Sequence, residues 1–147
     1  MKWICKRFDD LSASEVYAIL QLRNEVFVVE QNCVFQDADD KDQHCHHLMG
    51  WEYGRLLAYS RIVPPEISYR ESSIGRIVTS PSARKNGYGR ELLAQSIVQL
   101  YLLFGKIPIK IGAQQYLQRF YESFGFRQSG KSYLEDGIPH IEMTLPT

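Results

Sequence analysis

The sequence predicts an α/β protein in which helices pack against the faces of one mixed β-sheet. Three observations support this fold class. Segments with strand character stand at both ends and in the middle of the chain, amphipathic helical segments separate them, and no linker, repeat or low-complexity tract interrupts the pattern. A length of 147 residues fits one domain, so we expect a single domain over residues 1–147.

The first third of the chain predicts a strand, a helix and a loop. Residues 2–8 form a short opening strand. Ser12 stands three residues before Glu15, which is the spacing of a capping box and marks the start of a helix. Apolar residues keep helical spacing to about Gln31, so we expect an amphipathic helix there, unbroken or in two pieces. The polar and acidic residues 36–43 predict an exposed loop.

The middle of the chain predicts a hairpin, a third strand and a long helix. Strands over residues 47–53 and 55–63 flank Gly54, a natural hairpin position. Residues 73–79 form the next strand. The glycine-bearing loop over residues 84–89 then opens a helix with one apolar face.

The last third predicts a strand over residues 107–113 and a helix over residues 114–124. A terminal hairpin of strands over residues 126–134 and 140–145 follows. The order is strands, then strand–loop–helix–strand–helix, then a hairpin, and this order indicates a mixed sheet.

Composition excludes several classes of protein. Lysine and arginine number 17, as do aspartate and glutamate, so the net charge is zero and a nucleic-acid binder, which needs an excess of basic residues, is not expected. No apolar run reaches the roughly 18–20 residues of a membrane span, so no membrane partner is expected either. Three cysteines without a C-x-x-C pair, and no signal-peptide core, predict a reduced, cytoplasmic protein.

The loop between the third strand and the long helix has the chemistry of a phosphate site. The first N–H groups of a helix have no internal partner and carry partial positive charge. Gly87 and Gly89 let a ligand approach the backbone, and positive charge comes from Arg84, Lys85 and Arg90. We therefore expect a pyrophosphate cradle. The alternative is a cationic helix start whose glycines serve only a turn.

Two elements resemble the GCN5-related N-acetyltransferases, the GNAT family. Arg84-x-x-Gly87-x-Gly89, preceded by a strand and Ser80-Pro81, is similar to the acetyl-CoA loop of that family. Gln114 and the run Phe-Tyr-Glu-Ser-Phe-Gly-Phe at residues 120–126 resemble its second cofactor-side helix. Further segments resemble the ElaA-like branch and extend the likeness over nearly the whole chain: Leu22-Arg23, residues 26–31, Gln36-Asp37, His47, Gly50-Trp51 and residues 136–141.

This resemblance implies a GNAT-like acyl-CoA N-acyltransferase fold, with a splayed mixed sheet and helices on both faces. It implies an enzyme that moves an acetyl group from acetyl-CoA directly to a primary amine of a small molecule or peptide, without a metal. The acetyl-CoA and the amine acceptor would be its partners.

The resemblance also implies roles for individual residues. Tyr121 stands at the position of the family's general acid, which protonates the departing thiolate, and Gln114 stands where many relatives bond the pantetheine through Asn. The pantetheine would pair with the backbone of Ile77, Val78 and Thr79. The pyrophosphate would be held by the backbone N–H groups of the loop residues Lys85, Asn86, Gly87, Tyr88, Gly89 and Arg90. A direct contact of the Arg84 and Lys85 side chains with the phosphates is left open.

The general base is left open among three residues. Many relatives place a carboxylate on the strand before the cofactor loop, but residues 73–79 hold no acid. The candidates are Glu30, His47 and His140, and a histidine titrates in the right range for proton abstraction at neutral pH. Each has a structural alternative: an arginine partner such as Arg23 for Glu30, a strand cap for His47 and a hairpin bond for His140.

Other interpretations stay open. The same fold would also serve a non-catalytic acyl-CoA-binding module, or a different acyl transfer as in acyl-homoserine lactone synthases. The aspartates at residues 36–43 either belong to a solvated loop or attract a cationic amine to the acceptor site. The His-Cys-His-His run at residues 44–47 has no second ligand pair at zinc-finger spacing, so no metal site is expected. Strand edges at the terminal hairpin would permit a homodimer.

Overall fold

The protein folds as two antiparallel β-sheets with helices packed against them, and the computed structural model describes residues 1–147. The strands are β1 (Lys2–Arg7), β2 (His46–Glu52), β3 (Arg55–Val63), β4 (Ser73–Thr79), β5 (Ile109–Gln114), β6 (Arg127–Glu135) and β7 (Ile138–Leu145). The helices are α1 (Ala13–Arg23), α2 (Tyr88–Phe104) and α3 (Gln118–Glu122), and a π-helical segment (Asn24–Glu30) continues α1. All seven predicted strands are present, with bounds within two residues of the prediction. No helix combines the length and the hydrophobicity that crossing a bilayer requires.

The capping box at the start of α1 is confirmed. The Ser12 hydroxyl oxygen accepts a hydrogen bond from the Glu15 backbone N–H at 3.1 Å, and the Glu15 carboxylate accepts one from the Ser12 N–H at 2.8 Å. The helix does not stop at Arg23 but continues in π-helical form to Glu30. The predicted amphipathic helix therefore exists as two pieces of different geometry.

The two sheets meet at a single point. The first sheet has the strand order β1-β2-β3-β4 and the second β5-β7-β6, and all pairs within them are antiparallel. The one parallel contact is a bridge between Ser72 and Ile109, where the Lys110 N–H donates to the Ser72 carbonyl at 2.9 Å. The predicted mixed sheet is thus splayed: β4 and β5 run side by side at their first residues and have no pairing beyond.

Helices cover both faces of the first sheet, as expected. Neighbouring side chains of a strand point to opposite faces. On β2, Leu48 packs in the cluster that includes Leu93 of α2, whereas Met49 packs in the cluster that includes Ile19 of α1.

The predicted helix over residues 114–124 is shorter than expected. Gln114 belongs to β5, where it pairs with His140 of β7, and a 3-10 turn precedes the five-residue α3. Gly125, with φ +98, ends the segment. Strand pairing at Gln114 therefore takes precedence over the local helical pattern.

The segment before β2 is a loop with exposed residues, as predicted, but it is not solvated throughout, because ion pairs turn three of its aspartates inward. Arg23 is fully buried, and it donates to Asp37 (Nε–Oδ2 2.7 Å) and to Asp42 (Nη1–Oδ1 2.9 Å). Asp37 is 5% exposed and also accepts from Arg76 Nε at 2.8 Å. Arg23 consequently does not pair with Glu30, which corrects the suggested pairing of these two residues.

Arg61 of β3 completes this Arg–Asp network, which comprises Arg23, Arg61, Arg76, Asp37, Asp39 and Asp42. Arg61 binds both carboxylate oxygens of Asp39, at 2.7 and 2.9 Å, and reaches Asp42 at 2.9 Å. Each aspartate contacts two of the arginines and each arginine two of the aspartates. Because buried charges are tolerated only when they are paired, the network ties the loop to α1, β3 and β4. These three carboxylates are therefore not free to attract a cationic amine.

Substituting Asp37→Ala should lower the free energy of unfolding by about 3–5 kcal/mol, because it leaves the buried Arg23 with an uncompensated charge. Urea denaturation monitored by far-UV circular dichroism measures the change. The control is Asp9→Ala, an exposed aspartate outside the network, which should change the free energy by less than about 0.5 kcal/mol. Equal effects of the two substitutions would contradict a stabilising role of the network.

Stability should also fall in acid as Asp39 becomes protonated. Burial would raise the pKa of Asp39, but the hydrogen bonds and charge of Arg61, together with the charge of Arg76, outweigh it and hold the pKa at about 2, against 3.8 in the unfolded chain. The contribution is therefore complete above pH 4 and is lost as the pH falls toward 2. Thermal unfolding of the wild type and of Asp39→Asn between pH 5 and pH 2 measures it, and the difference between the two proteins should shrink as the pH falls.

Candidate active site

A cleft of about 990 Å³ opens where β4 and β5 diverge. Its walls come from residues 73–79 of β4, the end of β5, the π-helical segment and the turn between β6 and β7. The cleft follows directly from the single bridge between the sheets, because the strands that diverge from it leave a wedge that no other element fills.

Both strands that face this cleft are edge strands. On its other side β4 pairs with β3, and β5 pairs with β7. The backbone groups of Ile77, Val78 and Thr79 that point toward β5 therefore have no strand partner. An edge of this kind can accept an extended ligand as an added strand.

A bulge in β4 lies beside these residues. Tyr59 of β3 pairs with Val78 and Arg61 pairs with Gly75, so Arg76 and Ile77 together oppose one residue of β3. Arg76 has a φ of +49, which is unusual for a residue other than glycine and must be imposed by its surroundings. The hydrogen bonds from Arg76 to the carboxylate and the carbonyl of Asp37 supply that constraint.

The N-terminus of α2 forms one end of the cleft. Gly87 caps the helix in the left-handed conformation, with φ +75, which glycine adopts without strain. Gly89 lines the cleft, and the space that a Cβ would occupy there is empty within 4 Å. The free N–H groups of the first helical turn are thus accessible to an anion.

The basic residues of the loop are arranged differently from the expectation. Only Arg84 lines the cleft, and its guanidinium binds the carboxylate of Glu30 at two points, with Nη1–Oε2 at 2.8 Å. This hydrogen bond lowers the pKa of Glu30. Arg90 turns toward α3, where it donates to Ser123 and stacks 4.7 Å from the ring centre of Phe124. Five predicted loop residues lie outside the cleft walls: Lys85, Asn86, Gly87, Tyr88 and Arg90.

Tyr121 lies in the cleft wall, held by aromatic neighbours. Its ring meets Phe120 and Phe126 edge to face at 5.3 and 5.8 Å between centroids. The residue is 6% exposed, and burial raises the pKa of its hydroxyl well above the usual value near 10. The hydroxyl makes no hydrogen bond to another side chain, and its oxygen is not fully enclosed by protein. It can therefore be reached from the cleft that Tyr121 lines.

The three candidate bases do not converge. Glu30 and His140 line the cleft, whereas His47 lies outside it. Both ring nitrogens of His47 are engaged, with the Tyr59 hydroxyl at 2.6 Å and the Asp42 carbonyl at 2.9 Å. Burial lowers the pKa of His47. His47 is therefore not placed to accept a proton from a ligand in the cleft.

His140 has one nitrogen fixed and one available. Its Nδ1 lies 2.7 Å from the Ile138 carbonyl, and because a carbonyl only accepts, Nδ1 carries the proton. The lone pair of the neutral ring is therefore on Nε2, which lies 3.6 Å from the carboxylate of Glu135. The ring of Tyr133 stacks on the imidazole at 5.7 Å.

Two features of the cleft were missed by the sequence analysis. Gln31 contacts Gln114 across the cleft, with their amide groups 3.4 Å apart in both directions. Two tyrosine side chains lie over Gly112. A Cβ at this position would collide with the Tyr133 hydroxyl and would lie 3.1 Å from the Tyr69 hydroxyl. The glycine inside β5 was the available signal, because a strand glycine often marks a close approach. No three His, Cys, Asp or Glu side chains are grouped to hold a metal ion.

Comparison with known proteins agrees with this architecture. Residues 10–146 match the family model described as an acetyltransferase (GNAT) domain. Protein ElaA of Escherichia coli is 40% identical over 145 residues, covering 97% of this chain and 95% of the relative. A UPF0039 protein of Schizosaccharomyces pombe is 41% identical over 147 residues, covering 99% and 97%.

A solved structure is also similar over its whole length. The acyl-CoA N-acyltransferase of Pseudomonas aeruginosa is 43% identical and superposes with a TM-score of 0.93, covering 98% of this chain and 99% of the other. The fold is therefore the GNAT acyl-CoA N-acyltransferase fold, and the chain belongs to the GNAT acetyltransferase family, in the group of the ElaA and UPF0039 proteins.

Proposed function

We propose that the protein is a single-domain N-acetyltransferase that moves an acetyl group from acetyl-CoA to a primary amine of a small molecule or peptide. One observation carries the proposal: the unpaired edges of β4 and β5 face each other across a cleft that ends at the N-terminus of α2. A strand edge binds an extended amide chain, and a helix N-terminus binds phosphate. An acyl-CoA carries these two groups on one chain, the amides of its pantetheine and its pyrophosphate.

The donor would lie along β4. Its pantetheine amides pair with the backbone of Ile77, Val78 and Thr79, and its pyrophosphate rests on the N–H groups at the start of α2. Gln114, at the end of β5, reaches the pantetheine from the other side. This places the thioester beside the bulge of β4, where a backbone N–H near Val78 stabilises the negative charge that develops on the thioester oxygen.

The reaction is a direct transfer. The amine nitrogen attacks the thioester carbon, the C–S bond breaks and the departing thiolate takes a proton. Tyr121 supplies that proton, because its hydroxyl is open to the cleft and its raised pKa keeps it protonated at neutral pH. The description of the Pseudomonas relative as an acyl-CoA N-acyltransferase supports the same chemistry.

His140 is the proton acceptor that the geometry favours. It lines the cleft, and its Nε2, which carries the lone pair when Nδ1 donates to the Ile138 carbonyl, makes no hydrogen bond and can accept a proton from the amine. Glu30 stays a candidate, but in the free protein Arg84 holds both its oxygens.

The three cysteines Cys5, Cys33 and Cys45 are all free thiols, which is compatible with the cytoplasm.

Gly89→Ala should weaken CoA binding about tenfold without lowering the stability of the protein. The added methyl group has room in the free protein, so the fold tolerates it, but it occupies the place of the bound pyrophosphate. Isothermal titration with CoA measures the loss, and thermal unfolding checks the fold. Gln99→Ala, farther along α2, is the control. Unchanged affinity of Gly89→Ala would contradict the proposed cradle.

Tyr121→Phe should lower kcat about a hundredfold while CoA binding stays intact, because the thiolate loses its proton donor. Turnover is followed as thiol release from acetyl-CoA with a panel of primary amines, and Tyr101→Phe on α2 is the control. An unchanged kcat would remove Tyr121 from the mechanism. CoA binding with no turnover of any amine would favour the non-catalytic binding module instead.

A further inference from the structure

Two neighbouring residues contact opposite sides of the cleft opening. Glu30, the last residue of the π-helical segment, binds Arg84 in the loop that follows β4. Gln31, the next residue, contacts Gln114 at the end of β5. All four side chains line the same cleft, so these contacts cross the gap between the two splayed strands.

The contact partners are groups that the proposed donor needs. Arg84 is the one basic side chain of the phosphate loop that lines the cleft, and Gln114 is the amide proposed to reach the pantetheine. A carboxylate and a phosphate present the same pair of acceptor oxygens to a guanidinium. In the free protein Glu30 therefore occupies the position at Arg84 that a phosphate oxygen pair of the donor would take.

We propose that Glu30 and Gln31 form a strap that closes the donor site in the free protein, and that the pyrophosphate of the donor displaces it by taking Arg84 from Glu30. This inference rests on the proposed function, since it needs a phosphate-bearing donor. The displaced carboxylate then lies free in the cleft.

The contacts that hold the strap are weak, so a ligand can displace it. Both partners of the ion pair are about 40% exposed, at 41% for Arg84 and 40% for Glu30, and such an exposed pair adds little stability. The two amide contacts of Gln31 are long, at 3.4 Å. Asn32 follows with a φ of +50, a left-handed conformation at which the chain leaves the helix. Little is therefore lost when the strap opens.

The experiment is a double-mutant cycle on CoA affinity, measured by isothermal titration with the wild type, Glu30→Gln, Arg84→Gln and the double variant. Glu30→Gln should bind CoA about two- to fivefold more tightly, because its amide competes less well for Arg84. Arg84→Gln should bind CoA more weakly. The double variant should bind like Arg84→Gln, because Glu30 acts only through that arginine.

Asp9→Asn is the control. It removes one negative charge from an exposed position that makes no side-chain bond and lies outside the cleft, and it should leave the affinity unchanged. Glu30→Ala, also checked by thermal unfolding, repeats the test with a second side chain. Affinity of both Glu30 variants equal to or below that of the wild type would overturn the strap.

Inorganic pyrophosphate as a second probe separates the strap from the proposed function. A gain in affinity of Glu30→Gln for pyrophosphate alone supports displacement by phosphate. Wild-type binding of CoA with no gain in either Glu30 variant overturns the strap and leaves the acetyltransferase proposal standing. Failure of the wild type and of Glu30→Gln to bind either probe overturns both.

Discussion

The structure depends on the single bridge between Ser72 and Ile109. Each of the strands that start there has a full antiparallel partner on one side only, so their facing backbone groups stay unpaired. Exposed backbone donors and acceptors have to be satisfied by water or by a ligand. The elements that continue from these strands, the helix start after β4 and the short helix after β5, consequently stand at either side of one opening. The divergence creates the cleft and places Gly89 and Tyr121 in it.

The Arg–Asp network holds the β4 side of this opening in place. It joins α1, β3, β4 and the loop before β2, and it ends at Arg76 in the bulge beside Val78. Buried ion pairs are poor sources of net stability, because the desolvation of the charges offsets most of their attraction. Their effect here is geometric: six charged groups, each paired with two of the others, keep the loop and the bulge in place.

The fold was largely predictable from the sequence, and the interior of the site was not. Strand alternation, the Ser12 capping box and the glycines around α2 are local signals, and the elements they predicted are present. The placement of Asp37 depends on arginines 14 and 39 residues away in the sequence. Because no partner is close in the sequence, the polar residues 36–43 were interpreted as a solvated loop. The same holds for Glu30, whose partner Arg84 is 54 residues away. The length of α3 was overestimated because the pairing of Gln114 with His140 cannot be read from the helical pattern around it.

The π-helical segment has a consequence for how this chain tolerates insertions and deletions. A π-turn holds one residue more than an α-turn, and in a regular α-helix each residue advances the side chains by about 100° around the axis. Deleting a single residue between Asn24 and Val29 would allow α-helical geometry to continue through the segment, and Glu30 and Gln31 would stay close to their present direction, because the wider turn holds the extra residue. Winding all seven residues as a regular α-helix would instead rotate Glu30 and Gln31 by about 100° relative to the cleft, while α1, anchored by its capping box and by Arg23, would keep its place. The π-helical winding of this segment, and not only its composition, therefore decides whether these two side chains reach Arg84 and Gln114.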